Sequence, residues 1–255
     1  GNSIYKNYLI SSNGAKKSNF AVYAPFDFVD RNTPLNIYVS VNGSDIYGDG
    51  SISNPYASIS AAVKNALNHA IIYVSDGYYY ESDITVDKDL QIIASNQSVV
   101  IDAGFKQLFT ITQQGSLCID SIYITNAYSE YGGSAFINRG ELSIINSSIS
   151  NSSSYHDNSH PVFDRDVVYD ENGDVKSAHT QNYINTGRGG AILNYGTLNI
   201  ESSVFYENFG HWGGVIADYG KTSINSSLFF NNRGVHGGVI YTNSKNKFDI
   251  DNSMF

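Results

Sequence analysis

Short apolar runs alternate with clusters of Gly, Ser and Asn along most of the chain, and after residue 189 this alternation repeats with a fixed period. Gly-Gly pairs at 189, 213 and 237 set the period at 24 residues, and a fourth pair lies upstream at 132. Each unit contains three short β-rich runs, such as Val215-Ile216, Ser223-Ile224 and Leu228-Phe229-Phe230, separated by turn residues. This pattern predicts an all-β fold, a single-stranded right-handed parallel β-helix of about 24 residues per coil.

Equivalent positions in successive coils are expected to form ladders of side chains, because neighbouring strands lie about 4.8 Å apart. Two apolar ladders are expected to fill the interior: Leu142 and Leu198 with the neighbouring Ile144, Ile200, Ile224 and Ile250, and a second made of Ala135, Ile192, Ile216 and Ile240. A third ladder is expected at a turn, where asparagine tolerates left-handed backbone and its amide can bond from coil to coil: Asn126, Asn151, Asn208 and Asn232.

The register divides the chain into an irregular lead-in at residues 1–34 and one solenoid at residues 35–255, for which we expect about eight coils. The period is interrupted at about residues 152–185, where an inserted loop is predicted. Within this insertion, two β-rich runs flank Asn172-Gly173, a sequence typical of a β-hairpin turn. Long insertions on solenoids often carry the specific function.

One stretch near the start of the solenoid has helical rather than strand periodicity. Its apolar residues follow the spacing of a single helix face: Ile59, Ala62, Val63, Ala66 and Leu67. We expect this helix to cap the open N-terminal end of the β-helix, because an exposed first coil would pair with other chains.

Charge and composition narrow the classes of partner. The chain has 24 acidic and 15 basic residues, and its formal net charge of −9 argues against a nucleic-acid partner, which would need a basic surface. No apolar run is long enough to span a membrane. The single cysteine, Cys118, permits no intramolecular disulfide. The sequence has no signal peptide, begins without Met and ends within a coil, so we expect it to be part of a longer protein.

Two groups of residues have the chemistry of metal ligands. Asp45 and Asp49 lie in a Gly-rich loop and could hold calcium together with loop carbonyls, but a single pair of carboxylates favours a plain turn instead. The insertion contains His156, His160 and His179 together with three aspartates, at irregular spacing: Asp157, Asp164 and Asp166. We expect no bound metal or cofactor to be required, because the apolar ladders supply a continuous core.

The residues just before the Gly-Gly pairs are large and suited to ligand binding. They are Tyr131, Arg188, Trp212 and His236, with His211 beside Trp212. The period places them on successive coils, where aromatic faces and an arginine could bind a glycan chain or a peptide. The alternative interpretation is that these side chains only shield the turns around the glycines.

The repeats resemble those of known surface proteins. Gly-Gly-(Ala/Val)-Ile followed by Phe-x-x-Asn, at Gly189–Ile192 with Phe205–Asn208 and again 24 residues later, resembles the repeat of chlamydial-type polymorphic outer-membrane proteins. Adhesin-like surface proteins of methanogenic archaea are more similar, including the segments Tyr38–Val63 and Ile72–Tyr80. The resemblance covers roughly residues 36–151 and 185–255 and implies a pectin-lyase-like right-handed β-helix at the cell surface. It implies no catalytic residues.

Two functions follow as hypotheses. The first is a non-enzymatic, extracellular adhesin-like protein that presents a β-helix face to glycans or proteins of a partner cell. The second is a secreted polysaccharide-degrading lyase or glycosidase, which needs carboxylates clustered on one wall. The period instead aligns carboxylates with neutral residues or distant acids: Asp218 with Asn194 and Thr242, Glu207 with Asn231, and Glu201 with Asn225 and Asp249. We therefore favour adhesion over catalysis.

Overall fold

The computed structural model of the protein describes residues 35–96, 98–154, 167–169, 175–178 and 187–255. One helix, α1, spans Ile59–Asn65 in this part of the chain. The strands of the first half, in chain order, are β1 (Asn36–Val39), β2 (Ala70–Val74), β3 (Gly77–Tyr80), β4 (Ile84–Val86), β5 (Asp89–Ala94), β6 (Val99–Asp102), β7 (Phe109–Ile111), β8 (Ser116–Asp120), β9 (Tyr123–Thr125), β10 (Phe136–Asn138), β11 (Glu141–Ile145) and β12 (Ser148–Ser150). Those of the second half are β13 (Val167–Tyr169), β14 (Val175–Ala178), β15 (Ile192–Asn194), β16 (Thr197–Glu201), β17 (Val204–Tyr206), β18 (Phe209–Trp212), β19 (Ile216–Asp218), β20 (Lys221–Asn225), β21 (Leu228–Phe230), β22 (Arg233–His236), β23 (Ile240–Thr242) and β24 (Phe248–Asp251).

Three parallel sheets run along the solenoid. Sheet 1 has eight strands in the order β1-β2-β5-β8-β11-β16-β20-β24, sheet 2 has six in the order β3-β6-β9-β12-β17-β21, and sheet 3 has six in the order β4-β7-β10-β15-β19-β23. The chain visits sheets 1, 2 and 3 in turn, completing about six turns of about 25 residues each. The predicted parallel β-helix is confirmed. Sheet 1 has eight strands but only six coils are complete, because a loop and α1 follow β1 in place of strands of sheets 2 and 3 and because β24 is the last strand.

The interior is filled by apolar ladders, largely as predicted. Leu142 pairs in register with Leu198. Two residues further along the same strands, a continuous isoleucine ladder is formed by Ile119, Ile144, Ile200, Ile224 and Ile250. Ile250 is 46% exposed because β24 is the last strand of sheet 1. Aromatic rings stack in the same interior, with the centroids of Phe205 and Phe229 4.9 Å apart.

The second predicted ladder is displaced by one residue at its first member. Phe136, not Ala135, pairs with Ile192, which then pairs with Ile216 and Ile240. The reason is that Gly133 aligns with Gly189, since its amide donates to the carbonyl oxygen of Gly189 at 2.9 Å.

The predicted asparagine ladder is two adjacent ladders. Asn151 donates to Asn126 at 2.5 Å, and both residues have left-handed backbone with φ of 48° and 57°. Asn208 donates to Asn232 at 3.0 Å, as expected for coil-to-coil bonding. Asn208 aligns with Ser152, however, and the left-handed positions of those coils are occupied by the preceding residues, Glu207 and Asn231.

Helix α1 packs against β1, β2 and β4, so it covers the first coil of the solenoid. Ser58 caps its N-terminus by accepting from the amide of Ala61. Glu81, a buried carboxylate between β3 and β4, accepts from the amides of Ile59 at 2.5 Å and Ser60 at 3.3 Å. At the other end, the Lys88 ammonium donates to the Ala66 carbonyl oxygen at 3.1 Å. Neighbouring coils thus satisfy backbone groups that a short helix leaves unpaired. No helix in the described part of the chain has the length and apolarity needed to cross a membrane.

The regular path of the solenoid continues to Ser154, whose amide donates to the carbonyl oxygen of Phe209 in the next coil. It resumes at Gly187, whose carbonyl oxygen accepts from the amide of Trp212. Strands β13 and β14 pair antiparallel, as a hairpin requires. The predicted turn at Asn172-Gly173 lies outside the described residues. So do the lead-in at residues 1–34 and the metal candidates of the insertion: His156, His160, His179, Asp157, Asp164 and Asp166.

Candidate functional site

Glycines fix the positions of the residues that the sequence singled out. Gly189, Gly213 and Gly237 all have positive φ, between 70° and 76°, at the turn that leads into sheet 3. A Cβ atom on Gly213 would lie 2.0 Å from the carbonyl oxygen of Ile216, so the turn requires glycine. The tight turn leaves each preceding side chain on the surface.

Three of those preceding residues lie on consecutive coils, as predicted. Arg188 pairs with Trp212 through an isolated parallel bridge, and Trp212 pairs with His236 between β18 and β22. The Trp212 and His236 rings stack, with centroids 4.2 Å apart and planes 23° apart. His211 contacts both rings edge-on, at 5.5 Å from Trp212 and 5.2 Å from His236. Burial, followed by repulsion from His236, lowers the pKa of His211.

Tyr131 does not belong to this column, so its predicted place was wrong. Arg188 pairs with Gly132, and Tyr131 lies one residue earlier with 71% of its surface exposed. The cause is the alignment of Gly133 with Gly189, which also displaced Ala135 from its predicted ladder.

Three tyrosines that sequence reasoning missed extend the column into a larger surface. Tyr241 contacts Trp212 edge-on at 5.0 Å and lies 6.2 Å from Tyr219, which stacks on Tyr195 at 5.4 Å. The five rings are in contact from one to the next. We call this group the aromatic strip, and its members are His236, Trp212, Tyr241, Tyr219 and Tyr195. All five are exposed or partly exposed.

A buried polar ladder positions two of these tyrosines. Asn138 donates to Asn194 at 2.8 Å, and Asn194 donates to the Asp218 carboxylate at 2.8 Å. The Asp218 side chain is fully buried and also accepts from Thr222 and Thr242. The inward Asn194 and Asp218 side chains direct the next residues, Tyr195 and Tyr219, outward. The repeated pattern of an amide or acid, then Tyr, then Gly at 194–196 and 218–220 was the available sequence signal.

Two arginines lie on the tyrosine rings of the strip. The Arg188 Cζ atom is 5.4 Å from the centroid of Tyr219, and the Arg139 Cζ atom is 5.8 Å from that of Tyr195. Both distances are in the range of cation–π contacts. Burial raises the pKa of Tyr219, and the positive charge of Arg188 opposes that shift. The strip therefore combines flat apolar faces with cationic hydrogen-bond donors, the chemistry with which proteins bind sugar rings.

The candidate calcium loop has its carboxylates engaged by backbone. Asp45 accepts from the amides of Ala57 at 2.8 Å and Ser58 at 3.0 Å, and Asp49 accepts from that of Ser51 at 2.9 Å. These bonds are those of an ordered turn. Within the residues that the structure covers, His, Cys, Asp and Glu side chains form no group of three or more that could hold a metal ion.

No protein-family model matches this chain, and no curated protein matches it. Among solved structures, the chain is similar to a rhamnogalacturonan lyase, with a TM-score of 0.40 and 12% sequence identity over 78% of this chain and 69% of the lyase chain.

Proposed function

We propose that this chain is an extracellular, adhesin-like module that binds glycans of a partner cell or surface through the aromatic strip. The observation that supports this most is the chain of ring contacts from His236 to Tyr195, in which each side chain keeps part of its surface in solvent. A buried aromatic would serve the core, but exposed rings in contact present a continuous apolar face that a sugar chain can cover.

The repeats support the adhesin role and the surface location. Gly-Gly-(Ala/Val)-Ile with Phe-x-x-Asn, which resembles the repeats of archaeal adhesin-like and chlamydial-type surface proteins, forms the turns and strands that carry the strip. A solenoid of this kind offers a long, flat wall suited to an extended ligand. A surface protein of the partner cell is the other candidate ligand.

The alternative role, a polysaccharide lyase or glycosidase, requires carboxylates close together. In the described strands, no register pair joins two carboxylates. Glu201 pairs with Asn225 and then Asp251, which corrects the predicted partner Asp249. Asp218 is enclosed by hydrogen bonds from neutral side chains. These described residues therefore favour binding over cleavage.

The test uses Trp212, the only tryptophan of the chain, whose fluorescence reports on the strip directly. The protein is applied to an array of neutral and acidic oligosaccharides, and ligands that bind are titrated against wild type and Trp212→Ala. The variant should bind about tenfold more weakly or worse, because a stacking face is lost. Its circular dichroism should be nearly unchanged and its melting temperature only slightly lower, because the ring is partly exposed and lies outside the interior ladders.

Tyr123→Ala is the control, since Tyr123 is an exposed aromatic residue on sheet 2, outside the strip. It should bind like wild type. Equal affinity of wild type and Trp212→Ala, or no glycan bound by wild type, would overturn the proposal. Release of new sugar ends from any bound oligosaccharide would favour the lyase or glycosidase.

A further inference from the structure

Two arginines share one stacked pair of tyrosines at the edge of the aromatic strip. Arg139 lies one coil below Tyr195 in the same column and faces its ring, while Arg188 faces the ring of Tyr219. The two rings are stacked with planes 22° apart. Both arginines are exposed, so two cationic groups flank a single exposed tyrosine stack.

Neither guanidinium has an acidic partner among the residues that the structure describes. The ion pairs of this part of the chain are formed by His69, Lys88 and Lys247, and neither guanidinium donates a hydrogen bond to a described residue. Asp218, next to Tyr219 in sequence, is fully buried and faces the polar ladder. The described part of the chain therefore supplies no carboxylate that neutralises either guanidinium.

Each arginine contacts its tyrosine through the guanidinium, whose Cζ atom lies over the ring. The guanidinium edge carries five N–H donors in a planar fork that matches carboxylate or sulfate oxygens in a bidentate geometry. The contact with the ring restricts the arginine side chain, so less side-chain entropy is lost when a ligand binds.

We propose that the glycan bound by the aromatic strip carries an anionic substituent, a carboxylate or a sulfate ester, which Arg139 and Arg188 bind. This inference rests on the proposed glycan-binding function and adds the chemical class of the ligand. The sugar faces lie on the rings and the anionic group lies against the guanidinium edges. Because the whole chain carries a net charge of −9, the attraction is local to this surface and weakens as salt screens it.

The experiment compares glycans that share a backbone and differ in charge. Chondroitin, chondroitin sulfate and carboxyl-reduced chondroitin are placed on the array beside hyaluronan, alginate, xylan and mannan oligosaccharides. Binding is measured for wild type, Arg188→Gln and Arg139→Gln at low and high salt. Wild type should prefer acidic over matched neutral glycans by about tenfold to a hundredfold, the range for a hydrogen bond to a charged group. Preference for chondroitin over its reduced form identifies carboxylate, and a further gain with chondroitin sulfate identifies sulfate.

Each Arg→Gln variant should lose most of that preference, while Arg188→Lys should recover only part, because lysine keeps the charge but not the fork. Arg233→Gln is the control, since Arg233 also faces an aromatic ring, that of Phe209, outside the strip. Equal binding of acidic and neutral glycans, unchanged in Arg188→Gln, would overturn this inference and leave the proposed function standing. Absence of binding to every glycan would overturn both.

Discussion

Phe205 and Phe229 stack inside the solenoid, whereas the next residues along the chain, Tyr206 and Phe230, stack on the outer surface of the same strands. Phe205 is fully buried and Phe230 is 41% exposed, although the two pairs have similar geometry, with centroids 4.9 Å and 5.2 Å apart. Phe205→Ala should lower the free energy of unfolding by about 3–5 kcal/mol, because it removes buried surface and leaves a cavity. Phe230→Ala should cost only about 0.5–1.5 kcal/mol, the contribution of an aromatic pair.

The measurement is urea unfolding followed by far-ultraviolet circular dichroism and by the fluorescence of Trp212. Coincident transitions from the two probes support a two-state analysis. Phe205→Leu keeps most of the volume and should fall between the two alanine variants, which provides a value even if Phe205→Ala does not fold. Losses that agree within about 1 kcal/mol for Phe205→Ala and Phe230→Ala would refute the interior and exterior assignment of the two stacks.

Two further predictions concern the helix cap and pH. In Glu81→Gln one side-chain oxygen is kept as an acceptor, but the other is replaced by an NH2 group that cannot accept from the amide of Ile59 or Ser60. The free energy of unfolding measured in urea should fall by about 1 kcal/mol, and hydrogen exchange at the start of α1 should become faster. The pKa of His211 is lowered from 6.5 by burial and then by His236, so just below pH 6.5 the unfolded chain binds more protons than the folded chain. Stability should therefore fall as the pH decreases through this value, and His211→Asn should reduce the difference in melting temperature between pH 7.5 and pH 5.5. Unchanged hydrogen exchange in the first variant, or an equally steep pH dependence in the second, would contradict these assignments.

The fold was predictable because each coil of a solenoid has nearly the same length, so equivalent residues recur at a fixed period in the sequence. Ile192, Ile216 and Ile240 are 24 residues apart in the chain and are neighbours in sheet 3, so the period alone placed them. The misplaced Ala135 and Tyr131 are displacements of one residue. At Gly132-Gly133 the sequence offers two alignments with Gly189-Gly190, and the structure takes the one in which Ser134 replaces the second glycine, bonding to the carbonyl oxygen of Gly190.

The turn that follows sheet 2 shows a similar one-residue displacement of the predicted asparagine positions. The left-handed backbone position precedes Asn208, and Glu207 adopts it with φ of 56°. Asn208 instead accepts from the amide of Ser152 and donates to the carbonyl oxygen of Ile149. Asparagine is suited to both tasks, so residue type could not decide which position it held.

The candidate site was only half predictable, because its rings come from both ends of the sheet 3 strands and, for Tyr241, from within strand β23. Arg188, Trp212 and His236 were found from the glycines that follow them. Tyr241 pairs in register with Ala217, so the neighbouring coil has no aromatic residue at the equivalent position. Its contact with Trp212 therefore depends on how the turn before β23 folds. A period describes residues that stack along the axis, whereas this contact runs across it.

The polar ladder beneath the strip gives a physical reason why this surface can bind in the manner proposed. An exposed aromatic residue on a mobile loop loses conformational freedom when a ligand binds, and that loss reduces affinity. Tyr195 and Tyr219 instead follow residues whose amide and carboxylate are bonded to each other inside the solenoid, at 2.8 Å between Asn194 and Asp218. Their backbone amides are also bonded to the coil below, each at 2.8 Å, to the carbonyl oxygens of Asn138 and Asn194. Unfolding one turn would leave buried polar groups without partners, which costs about 1–3 kcal/mol per group. The spacing of the two rings is therefore fixed before a ligand binds, so little conformational entropy is lost on binding and affinity is not reduced by that loss.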